Sequence, residues 1–104
     1  MTVYVVQEVI GFNILPAAKY GEFTLLLPKG QVMLSAGPTV SRLKKGLKDF
    51  SDSDYLLLIG DPAAIGLATA VACDINRGKF RFLKWDRQEK KYYPITVNIH
   101  GGTL

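Results

Sequence analysis

The chain has a single cysteine, Cys73, and a single histidine, His100. One cysteine excludes an internal disulfide and any multi-cysteine metal site, and it fits a reducing compartment. His100 sits in a "HGGTL" tail and Cys73 in the middle of an apolar segment, so no metal-ligand spacing or nucleophile–base pair is visible and no cofactor is expected. The N-terminal "MTVYVVQEV" lacks the basic start of an export signal. The longest mostly apolar stretch, 59–73, is broken by Gly60, Asp61 and Pro62, which leaves too little to span a bilayer. These absences, with no repeat, linker or low-complexity tract, predict one non-enzymatic cytoplasmic domain over residues 1–104, without a membrane partner.

What is present is an ordinary globular balance, 48% hydrophobic and 21% charged residues. "VYVVQEV" at 3–9 and "EFTLLL" at 22–27 read as strands from their β-branched and apolar content, and "QVMLS" at 31–35 as a third. Residues 10–21, with Gly11, Asn13, Pro16 and Gly21, read as a loop or short irregular turn. Pro38 suits the first turn of a helix, and Val40, Leu43, Leu47 and Phe50 place one apolar stripe on it. "DYLLLIG" at 54–60 reads as a strand covered on both faces. Asp61 is placed to cap a following helix, Pro62 to begin it and Gly78 to lie past its end. That second helix is apolar nearly all round, which predicts burial on more than one side and self-association. The expected fold is α/β or α+β: a mixed sheet of five to six strands, two helices, one βαβ unit and a C-terminal hairpin.

Charge is unevenly distributed. Of 13 Lys and Arg residues, only Lys19 and Lys29 lie outside two segments. One segment holds Arg42, Lys44, Lys45 and Lys48; the other, "RGKFRFLKWDRQEKKYYP" at 77–94, mixes seven cations with aromatic rings. A turn at 87–90 would pair Trp85 with Tyr92 and Phe82 with Ile95. Phe80 and Phe82 then join the core, while Arg81, Trp85 and Tyr92 share the other face. Pro94 puts its strand at an edge or a bulge.

Three functional classes fit these patterns. Aromatic rings inside a basic rim suit single-stranded nucleic acid, with Arg81, Lys84, Trp85, Arg87, Lys90, Lys91 and Tyr92 in contact and Arg42 and Lys45 assisting. The same residues suit an interface with a host protein, because Tyr, Trp and Arg anchor interfaces too. The aromatic pair more readily suits a second helical layer or a subunit interface, with the lysines guarding an edge strand. The third class is an anion or small-molecule site at Gly60, Ala63 and Ala64, where a strand ends and a helix begins. Asp61 opposes that reading by placing a carboxylate where the anion would sit.

The run "IGDPAAIGLATAVACDINRGKFRFLKWDRQEKKYYPITVNI", with "LPKGQVMLSAGPTVSRL" upstream, resembles small proteins encoded by tailed bacteriophages. The resemblance implies a viral protein acting in the host cytoplasm. It carries over no activity and no functional residue.

Overall fold

The computed structural model describes residues 1–32 and 36–101. Five strands, β1 (Thr2–Gln7), β2 (Glu22–Leu27), β3 (Tyr55–Leu57), β4 (Lys79–Asp86) and β5 (Lys91–Asn98), form one sheet in the order β2-β1-β3-β4-β5. β1 pairs in parallel with β2 and β3, and β3 with β4, while β5 returns antiparallel to β4. Two α-helices, α1 (Gly37–Gly46) and α2 (Pro62–Ile75), and a 3-10 helix (Leu15–Tyr20) complete the chain. The fold is therefore mixed α/β, with the βαβ unit and hairpin expected, and with a short helix inside the segment expected to be irregular.

The strand order explains which face each connection covers. The chain steps from β1 to β2 in one direction, then from β2 past β1 to β3 and on to β4 in the other. Right-handed crossovers put connections that step in opposite directions on opposite faces. Accordingly, Leu43 of α1, Leu47 just past its end, and Ala64, Ala68 and Ala72 of α2 pack with Tyr4, Val6, Leu56 and Phe80 on one face. The 3-10 helix alone reaches the other, where Ala17 packs with Val3, Val5, Leu57, Leu83 and Tyr92.

The helices form largely as their patterns require. Leu43, Leu47 and Phe50 are buried, while Arg42, Lys44, Lys45 and Lys48 are exposed, but α1 ends at Gly46, so Leu47 and Phe50 join the core from the turn after it rather than from the helix. In α2 the buried positions include three alanines, which allow close approach to the sheet and to α1. Pro62 stands in the first turn and Asp61 at the N-cap position, but the Asp61 side chain makes no hydrogen bond to the helix. The C-terminus closes by a Schellman arrangement: Gly78 N–H donates to the Cys73 carbonyl at 2.7 Å, with Arg77 at φ 56° in the left-handed region.

Two strand expectations differ from the structure. The strand expected over 54–60 pairs only at Tyr55–Leu57, because the chain turns early: Ile59 N–H donates to the Leu57 carbonyl at 3.0 Å and Gly60 adopts φ 127°. The strand expected over 31–35 falls mainly on residues 33–35, outside the described residues, and Gln31 and Val32 are not in a strand.

Arg77 carries a side chain where glycine is favoured. Arg77→Gly is expected to raise stability by about 0.5–1 kcal/mol, read as a higher urea midpoint with an unchanged denaturant slope.

Candidate functional site

The hairpin adopts the register that pleat alternation requires. Trp85 opposes Tyr92, Leu83 opposes Pro94, Phe82 opposes Ile95 and Arg81 opposes Thr96. Pro94 lies on β5, which is an edge strand. Trp85 and Tyr92 share a face, but that face packs inward. Tyr92 is 2% exposed, its ring meets Trp85 edge-on at 4.9 Å, and its hydroxyl approaches the Asn13 carbonyl at 3.5 Å. Tyr20 donates to the Tyr92 carbonyl at 3.2 Å. As placed, Tyr92 offers no ring face to a base, and the aromatic pair lines the second core.

Arg81 is also drawn inward. Its guanidinium lies 4.2 Å from the Tyr55 ring centroid and donates to the Tyr55 hydroxyl at 3.1 Å. Tyr20 packs edge-on against the same ring, and the buried Arg81 Nε has no hydrogen-bond partner. Lys84, Arg87, Lys90 and Lys91 are exposed. Among the described residues the one ion pair is Lys79–Asp52, so none of these four is neutralised by a close carboxylate. Arg42 and Lys45 are exposed on α1, which packs over β2. Strands β2 and β5 are the two edges of the sheet, roughly 19 Å apart at four strand spacings. The two basic clusters therefore lie toward opposite edges of the sheet, one on α1 near β2 and one on the β4–β5 hairpin.

Open α/β sheets bind ligands beyond the strand carboxyl ends where the order reverses, here between β1 and β3. Gln7 fills that point. Its carboxamide accepts from Asp61 N–H at 2.7 Å and donates to the carbonyls of Pro28, at 3.0 Å, and Gly30. The Asp61 carboxylate accepts from Val32 N–H at 3.1 Å. Gly60 lies so close that a Cβ there would meet Gln7 Cβ at 2.5 Å. Of the residues expected to hold an anion, Gly60 backs onto this clamp, Ala63 is exposed and Ala64 is buried in the core. The sequence showed Asp61 as a helix cap; its partner is instead the loop after β2, a contact no local pattern encodes.

The feature sequence reading missed is apolar. Seven large hydrophobic residues are exposed among those described; three of them, Val9, Ile10 and Phe12, lie between β1 and the 3-10 helix, and a fourth, Leu15, begins that helix. Val9 and Phe12 line a groove of about 310 Å³ with Ile59, Ile65 and Trp85. On their other side they line a second, of about 370 Å³, with Phe23, Leu25 and Ile14. Leu25 is itself 50% exposed. Glu8 is the one charged side chain lining either groove. The signal available in sequence was a run of apolar residues at 9–15 with neither helix nor strand period.

The structure also brings Cys73 and His100 to one cavity of about 400 Å³, with Asp74 and Arg77. Among the described residues no hydrogen bond joins the thiol to the imidazole, and no three side chains are grouped to hold a metal.

With this geometry in place, a protein-family model matches residues 1–99 of the chain. The chain belongs to the Phage Pam3 gp32-like protein family. The resemblance to phage proteins is thereby substantiated over nearly the whole length. No curated protein and no solved structure matches the chain. Among the described residues of this Phage Pam3 gp32-like protein, no helix is long and apolar enough to cross a membrane.

Replacing the Gln7 carboxamide leaves one backbone N–H and two carbonyls without their partner. Gln7→Leu is expected to cost about 2–4 kcal/mol and to speed hydrogen exchange at the Val32 amide, which Asp61 holds only while the clamp is formed. Burial raises the Tyr92 phenol above its ordinary value; burial, then Asp54 and Asp49, raise Tyr4. The unfolded chain therefore ionises first. These groups contribute their full stability below pH 10 and lose it as pH climbs toward the folded values, to be checked by denaturation midpoints across an alkaline series.

Proposed function

We propose that this phage protein is a non-enzymatic interaction module that docks on a host protein through the apolar surface around residues 9–15. The observation that carries the reading is the concentration of exposed hydrophobic side chains there. Val9, Ile10, Phe12, Leu15 and Leu25 make up five of the seven in the described chain, and three of them line the two grooves. Exposing such side chains to water costs free energy that a partner recovers, so clustered apolar surface marks an interaction site. The grooves sit at the strand carboxyl ends, where a rigid sheet presents loops with little freedom to collapse. Phe12 and Trp85 supply the large, stiff side chains that dominate interface energies.

Nucleic acid is the competing occupant, through the exposed cations of the hairpin turn. The burial of Tyr92 and the separation of the two basic clusters weigh against that reading, because strand binding combines stacking platforms with a continuous basic track.

Affinity capture from nuclease-treated host extract separates the two. An Ile10→Glu/Phe12→Ser variant, checked for native circular dichroism, is expected to lose the captured protein. A Lys90→Glu/Lys91→Glu variant is expected to keep it. Retention by the first variant and loss by the second, together with salt-sensitive binding of single-stranded DNA at low ionic strength, would overturn the proposal in favour of nucleic acid.

A further inference from the structure

The groove beside Trp85 carries no charged side chain, yet it opens next to a concentration of positive charge. Val9, Phe12, Ile59 and Ile65 line it together with the Trp85–Tyr92 pair. Beyond that pair the hairpin has only Asp86 with Lys91 and then the turn. Arg87 and Lys90 stand in the turn, each two residues, and so within about 7 Å along the chain, from the aromatic pair. Both are exposed, and neither has an ion-pair partner among the described residues. The Asp86 carboxylate accepts from the Gln88 and Glu89 N–H groups at 2.9 and 3.3 Å. Glu89 is the other acidic residue of the tip, outnumbered by Lys84, Arg87, Lys90 and Lys91. Across the ridge formed by Val9 and Phe12 the second groove differs: Glu8 lines it and no cation does. The two ends of the apolar surface thus carry opposite charge.

We propose that the host partner brings an acidic patch to this site, with its apolar anchors in the Trp85 groove and its carboxylates against Arg87 and Lys90. The inference rests on the interaction-module reading and adds the chemistry and orientation of the partner. Its carboxylates lie on the hairpin side of the anchors, away from Glu8. Complementary potentials across an interface steer the encounter and fix its register. A second copy of this chain is the poorer occupant, because two chains of net charge +4 repel. Nucleic acid would satisfy the cations but leave the groove unfilled, since the buried Tyr92 offers no ring face for stacking.

Zero-length carbodiimide cross-linking tests this, because it joins a lysine only to a carboxylate in contact with it. The probe is nuclease-treated host extract, with the coupled peptides mapped by mass spectrometry. Lys90 is expected to couple to Asp or Glu side chains of the captured host protein. Lys44 and Lys45 on α1, equally exposed, are expected to stay uncoupled. Lys90→Glu/Lys91→Glu is expected still to hold that protein but to capture it about three- to tenfold more slowly at low ionic strength, because rim charges act mainly on association. High salt is expected to close the difference.

Capture without coupling at Lys90, an undiminished capture rate for the charge-reversed variant, or coupling only between two copies of the chain would each overturn the proposal. Lys90 coupling that appears only when nuclease treatment is omitted would assign the cations to nucleic acid and overturn it too. Any of these results, with capture still abolished by Ile10→Glu/Phe12→Ser, leaves the docking reading standing. Capture that survives Ile10→Glu/Phe12→Ser removes that reading itself.

Discussion

The first crossover is the constraint from which the rest of the structure follows. A parallel connection between neighbouring strands needs about a dozen residues, and the segment from Glu8 to Gly21 is scarcely longer. It accommodates one 3-10 helix, whose Tyr20 hydroxyl reaches β5 at the Tyr92 carbonyl and whose cluster takes in Phe23 of β2 but leaves Leu25 half exposed. The opposite face, served by two longer crossovers, receives α1 and α2 and closes fully over Leu56, Val6 and Leu26. One face thus carries the larger core and the other a smaller one, ending in exposed Leu25, Phe12 and Ile10.

Completing that smaller core explains the fate of the hairpin aromatics. Tyr92 and Trp85 lie where a crossover helix would otherwise pack, and they fill the layer with Leu83, Ile59 and Ala17. Arg81 joins them by lying across Tyr55, its charge partly sheltered without a carboxylate opposite. A polar clamp fixes the top of the same sheet. Gln7, 5% exposed, ties β1 to the loop after β2 and to the start of α2, and it fills with the protein's own atoms the crevice where related architectures accept a ligand. What is left accessible at the carboxyl ends is the apolar surface beside the clamp.

Much of the sheet was legible in the sequence because the signals are periodic. Alternation fixes the Trp85–Tyr92 register, and Pro94 marks β5 as an edge. Proline and glycine also set the ends of α2, through Pro62 and Gly78. Alternation assigns a residue to a face, however, and says nothing of what covers that face. For this reason the sequence favours a covered Tyr92 without excluding a solvent-facing one. The Gln7–Asp61 clamp was illegible for a related reason: it joins three segments distant in sequence, and a glutamine after a strand or an aspartate before a helix has commoner local uses. Val9 reads as the end of a strand, and Gly11, Asn13, Pro16 and Gly21 mark 10–21 as a loop, so nothing local shows that Val9, Ile10, Phe12 and Leu15 are all left exposed.

The central claim is that the incompletely covered face meets a protein partner at the segment following β1. Hydroxyl-radical footprinting of the complex formed in nuclease-treated host extract measures this side chain by side chain. The account predicts loss of oxidation at Ile10, Phe12 and Leu15 on binding, with oxidation of Tyr93 on the helix-covered face unchanged. Unaltered oxidation at those three positions, with protection confined to Lys84–Lys91, would contradict it.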